Sequence, residues 1–193
     1  MKRLFVPVLA AAALIAGAHA AAAQTAPAAD FGPAIGTAID IGSLADQTGA
    51  PRDLASLMGE KGLVLMFFRS ADWCPYCQAQ LIDMNAGLAG IRARGYGLAG
   101  ISYDGTEVLA RFTERRGIGF PLLSDLGSEI IDKYGLREER YPEGNRAYGV
   151  PKPIVFVLTR EGTIAAKLFE EDYRVRPPAA LVIETLEGLA GEN

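Results

Sequence analysis

Both cysteines of the chain, Cys74 and Cys77, lie in the stretch Phe67 to Leu81, FFRSADWCPYCQAQL, with only Pro75 and Tyr76 between them. Three chemistries are open to such a pair: a structural bridge, half of a metal site, or a dithiol that cycles between open and bonded forms. A structural zinc site takes four ligands, and here carboxylates would have to complete the set, which is uncommon. A bridge closing a loop of two intervening residues removes little chain entropy, so as a staple it would stabilise weakly. The dithiol reading has the most physical support. Pro75 suits the first turn of a helix, where its missing N–H is no loss. Cys74 then stands at the helix cap, among unpaired backbone N–H groups and at the positive end of the helix dipole. A thiolate is favoured there, and its pKa is drawn from about 8.5 toward the range of about 3.5–7.5. Cys77, almost one helical turn further on and inward, is placed to attack a mixed disulfide on Cys74.

The elements that must hold this pair follow from apolar spacing. GLVLMFFRS is a continuous apolar run bounded by Gly62 and polar residues, as for a central strand buried on both faces. Leu81, Met84, Leu88 and Ile91 recur at spacings of three and four, giving an amphipathic core-facing helix from Pro75 to near Arg94-Gly95. Before it, AIDIGSLADQTGAPRDLASLM predicts a short strand or hairpin and a helix from Pro51 to Met58. After it come strand YGLAGISYD, helix TEVLARFTERRG, short strand FPLLSD and helix LGSEIIDKYG. LREERYPEGNRAYG is a polar loop, PIVFVLTREGTIAAKLF a hairpin turning at Arg160-Glu161-Gly162, and PPAALVIETLEGLAG a closing helix. Strand and helix alternate before the hairpin, so the class is α/β with one antiparallel edge.

The start of the chain reads differently. Lys2 and Arg3 precede a short apolar core, Leu4 to Ala18, and Ala18-His19-Ala20 or Ala21-Ala22-Ala23 is a small-residue cleavage site. Residues 1–23 are therefore expected to be an export signal, with an uncleaved membrane anchor as the alternative, and the mature protein to be soluble and periplasmic. Residues 24–36 read as a flexible Ala/Pro/Gly tether and 37–193 as one domain. Cleavage removes His19, the only histidine, so catalytic triads and His-containing zinc sites are excluded from the mature chain. It also removes two cations from a net charge of −4. An acidic surface gives no support to nucleic-acid or anionic-membrane binding.

WCPYC, at the end of a buried strand and the start of a helix, resembles the active site of the thioredoxin superfamily, in its glutaredoxin form. From about Ala34 onward the chain is similar to the larger redoxins, the AhpC/TSA-type peroxiredoxins and exported thioredoxin-like oxidoreductases; GISYD, FPLLSD, DKYGL and FVLTREGTI carry that likeness. The resemblance implies a thioredoxin-like fold, a mixed central sheet flanked by helices with an extra β-α insertion. It implies Cys74 as nucleophile, Cys77 as resolving thiol and Pro75 at the helix start. Trp73 and Tyr76 flank the reactive sulfur, where either can equally be packing. No cofactor and no metal are implied; the expected partners are protein or small-molecule thiols and disulfides, or peroxide, with a separate redox partner for recycling. It also implies a cis peptide at Pro153, three residues before Phe156, or else at Pro151. Peroxiredoxins carry a proline and a threonine seven and three residues before their peroxidatic cysteine; here those positions are Phe67 and Ala71. Arg69 and Lys152 do not restore that pocket by type and place. Thioredoxin's buried carboxylate falls on Phe68, and Asp72 is expected to face solvent, so the proton acceptor for Cys77 is open. Arg137, Arg140 and Arg146 rim a substrate groove or form a solvated loop. Thiol–disulfide exchange is the first expectation, thiol peroxidase the second, and a non-catalytic binding domain with an inert disulfide the third.

Overall fold

A computed structural model describes residues 30–191; the expected export signal, residues 1–23, and residues 24–29 of the expected tether lie outside them. Three central strands carry the apolar runs. These are β3 (Gly62–Phe67), β4 (Tyr96–Ser102) and β6 (Ile154–Thr159); β3 runs parallel to β4 and antiparallel to β6, with Leu65 level with Ala99 and Phe156. Around them lie β1 (Leu44–Asp46), β2 (Pro51–Arg52), β5 (Leu122–Ser124) and β7 (Ile164–Leu168), giving the sheet order β2-β1-β5-β4-β3-β6-β7. Antiparallel pairs occur on both flanks, β1 on β5 and β6 on β7, where the sequence predicts one antiparallel edge. The second edge is the β1–β2 hairpin, whose Gln47 side chain accepts from the Leu122 N–H at 2.8 Å and so grips β5.

Because side chains alternate across a strand, β3 feeds two cores. Val64, Met66 and Phe68 pack with α2 (Pro75–Ala93), α3 (Thr106–Arg116) and α5 (Ala179–Gly191). Leu63, Leu65 and Phe67 pack on the other face with α1 (Leu54–Leu57) and α4 (Glu129–Lys133). Met84 and Leu88, predicted as core, are buried. Pro51 and Arg52, predicted to open α1, belong to β2 instead: Asp53 is the cap, its side chain accepting from the Ser56 N–H at 2.8 Å. Two glycines allow close approach. A Cβ on Gly97 would lie 2.0 Å from the Leu57 carbonyl oxygen, and one on Gly87 would lie 2.7 Å from the Ala179 Cβ. The first lets α1 end against β4, and the second lets α5 lie on α2.

Part of the predicted tether is packed. Phe31 meets Phe169 edge-on at 4.9 Å, Asp30 pairs with Lys167 at 2.5 Å, and the Gly36 N–H donates to Ile164 O at 2.8 Å. The expectation of a cis proline is corrected: no peptide bond among the described residues is cis, at Pro151 and Pro153 included. The backbone there is held extended beside residues 136–138. Pro151 bridges Arg137, Lys152 N–H donates to Leu136 O at 2.7 Å, and Glu138 N–H donates to Val150 O at 2.9 Å.

Candidate active site

At the carboxyl end of β3 the chain leaves the sheet through Phe68 to Trp73 and enters α2 at Pro75. Cys74 is the N-cap, with extended backbone, and its Sγ accepts the Cys77 N–H at 3.2 Å. The two sulfurs are bonded to each other. Both cysteines are covered, Cys74 retaining 2% exposure and Cys77 none. Sequence and structure therefore agree on where the pair sits, and the structure holds it oxidised.

The turn in front of Cys74 is braced by a carboxylate that the sequence does not single out. Asp104, just past the end of β4, is buried and accepts from Ser70 Oγ at 2.9 Å, the Ala71 N–H at 2.7 Å and Ser102 Oγ at 3.1 Å. Burial pushes its carboxyl above the usual range, with the three hydrogen bonds working against that. Beside it, Trp73 Nε1 donates to Tyr103 Oη at 2.9 Å, and Tyr103 Oη donates to Arg146 O at 2.9 Å. Asp72 faces outward, as expected, and pairs with Arg146 at 2.6 Å. Trp73 is thus fixed by its indole N–H. Tyr76 is 41% exposed and meets Tyr173 edge-on at 6.1 Å.

Two arginines act on each other near the cysteine pair, and one of them reaches a sulfur. Arg69 is buried, gives Nη2–H to Tyr141 Oη at 2.6 Å, and lies against the rings of Tyr173, Tyr141 and Trp73 at 4.5, 5.1 and 5.3 Å. Aromatic faces attract a cation and offset part of its lost hydration. Arg176 comes from the segment between β7 and α5 and brings Nη2 to 3.7 Å from Cys77 Sγ. Burial first, then the Arg69 charge, pull its guanidinium down to about 10, so it stays protonated at neutral pH. The segment is anchored where α5 begins, by the Ala179 N–H donating to Asp83 Oδ2 on α2 at 2.7 Å. No motif marks Arg176; its signal in the sequence is an arginine beside Pro177-Pro178, just before a helix.

The remaining predicted residues separate. Pro153 and Lys152 line a groove of about 530 Å³ with Phe31, Phe169, Tyr173 and Arg140. Tyr173 therefore both lines this groove and meets Arg69. Arg140 pairs with Glu138 at 2.6 Å, and Arg137 is hydrogen-bonded to Asp132, Nε to Oδ1 at 2.5 Å. Of the loop arginines, Arg140 rims the groove, Arg146 caps the Trp73 side at 5.8 Å from its ring, and Arg137 sits on Tyr148.

This arrangement has relatives. The AhpC/TSA family model matches residues 35–167, more than half of the chain. Peroxiredoxin Bcp of Escherichia coli K12 is 30% identical over 122 residues, covering 63% of this chain and 76% of that protein. The crystal structure of peroxidoxin BcpB from Mycobacterium tuberculosis superposes with a TM-score of 0.67 at 25% identity, covering 83% of this chain and 99% of that one. A peroxiredoxin Q of Xanthomonas campestris superposes at 0.64 with 24% identity, covering 77% and 90%, a likeness of fold. The chain belongs to the AhpC/TSA family of thioredoxin-like peroxiredoxins and is a thiol-dependent oxidoreductase.

Proposed function

We propose that the protein exchanges electrons with disulfide substrates through Cys74 and Cys77. The observation that carries this reading is the bonded pair at the first turn of α2, with Cys74 as its cap. In the reduced protein the Cys74 thiolate attacks a substrate disulfide, forming a mixed disulfide and releasing one substrate thiolate. Cys77 loses its proton, and its thiolate attacks Cys74 Sγ. The mixed bond breaks, the second substrate thiolate leaves, and the Cys74–Cys77 bond forms. The substrate gains two electrons and the pair gives up two. Arg176 supports this second step, because a cation near Cys77 Sγ lowers the cost of the thiolate. An external dithiol must then restore the pair.

A thiol peroxidase is the second reading, and the relatives named peroxiredoxins support it at least as strongly. There Cys74 attacks a peroxide oxygen, releases water or an alcohol and becomes a sulfenic acid, with which Cys77 condenses to release water. Local geometry favours exchange. The position of the family's threonine is Ala71, whose N–H is given to Asp104, and Arg69 Nη2 is given to Tyr141. Stopped-flow fluorescence of Trp73, the only tryptophan, separates the two. We expect the reduced protein to react with a disulfide far faster than a free dithiol does, and with hydrogen peroxide no faster than a free thiol. The reverse order overturns exchange in favour of peroxide. Export rests on residues 1–23 alone: an intact mass lacking them after expression in an exporting host supports a cleaved signal, and full-length protein recovered in the soluble cytoplasmic fraction would refute export.

A further inference from the structure

Arg176 puts a positive charge against the disulfide and Arg69 puts a second within reach of Arg176, and neither has an acidic partner among the described residues. All eight ion pairs formed there involve other cations. Asp172, whose carboxylate acts on Arg176, is already paired with Arg174 at 2.8 Å. Both guanidinium groups also bury an Nε–H with no acceptor. A buried charge and a buried donor each carry a cost unless matched, and the like charge of Arg69 on Arg176 adds to it. The sequence places no Asp or Glu between Phe67 and Leu81 except the outward Asp72.

We infer that Arg69 and Arg176 form an anion subsite, which selects small disulfides bearing a carboxylate close to the scissile sulfur. This rests on the exchange reading above. The occupant is small because Arg176 lies against Cys77 Sγ and Cys74 keeps only 2% exposure, which leaves room at the sulfurs for no bulky chain. The carboxylate accepts the unused guanidinium hydrogens while the disulfide faces Cys74. Cys74 then displaces one carboxylate-bearing thiolate, Cys77 displaces the other, and two protons from solvent leave both as thiols. Charge pairing of this kind sets selectivity and weakens as salt is added.

The test uses three disulfides of similar length and different charge: dithiodiglycolate, bis(2-hydroxyethyl) disulfide and cystamine. Each rate constant with the reduced protein is divided by that with dithiothreitol, which removes intrinsic reactivity. The anionic disulfide is expected to exceed the neutral one by about tenfold, equivalent to about 1.4 kcal/mol, and the cationic one to fall below it. Added salt should shrink the ratio, and Arg176→Gln should bring it close to one. Equal corrected rates in the unaltered protein overturn the subsite while leaving exchange intact. So does an Arg176→Gln variant that slows all three alike, since the arginine would then serve only the thiolate. If none of the three outpaces the free dithiol, exchange itself fails and the subsite with it.

Discussion

In Cys77→Ser, the reduced protein should accumulate a stable adduct with one half of a disulfide substrate, bound through Cys74. A serine hydroxyl does not displace sulfur, so the second step stops while the first proceeds. Intact mass gives the adduct, and peptide mapping gives its site. Turnover should fall on the order of a thousandfold or more, because two thiols acting as a unit leave little when one is removed. Cys74→Ser should form no adduct, since Cys77 is without exposure and stands inside the first turn of α2. An adduct carried by Cys77 would reverse the two roles.

Asp104→Ala should lose about 2–4 kcal/mol of stability, measured by denaturant unfolding at neutral pH. The substitution strands the Ala71 N–H and the Ser70 and Ser102 hydroxyls, and an unsatisfied buried group costs about 1–3 kcal/mol. Activity should fall too, as the turn before Cys74 loses its brace. Asp104→Asn keeps an acceptor for Ala71 and should lose less. The pH dependence has a definite sign. Burial raises the folded carboxyl above its unfolded value, so the folded state holds the proton more tightly. Stability contributed by Asp104 is therefore present at low pH and declines as pH rises from the ordinary carboxyl range through the raised value. Asparagine cannot titrate, so the unaltered protein should gain on Asp104→Asn as the pH is lowered through that window.

Local signals in the sequence located the cysteines well. Pro75, the cap position and the apolar spacing from Leu81 to Ile91 all act within one helix, and the helix forms where they place it. The run from Gly62 to Phe67 likewise became the doubly buried β3. What escaped is what the fold brings from a distance. Arg176 lies 99 residues from Cys77, and Asp104 lies 33 from Ala71; neither spacing leaves a periodic trace. Tyr173 and Tyr141 meet Arg69 from two segments far along the chain from it and from each other. Phe31, within a stretch poor in pattern, docks because Phe169 at the end of the hairpin offers it a ring. The cis proline came from likeness to relatives, whereas the backbone at Pro151 and Pro153 follows its own hydrogen bonds to Leu136 and Glu138.

The helix end bears on one quantity, the readiness of Cys74 to ionise. Ultraviolet titration of reduced Cys77→Ser, which has a single thiol, reads that quantity directly. Thiolate should be half formed in the range of about 3.5–7.5. A midpoint at or above the ordinary thiol value of about 8.5 would contradict a cap-stabilised nucleophile and leave the pair a plain bridge.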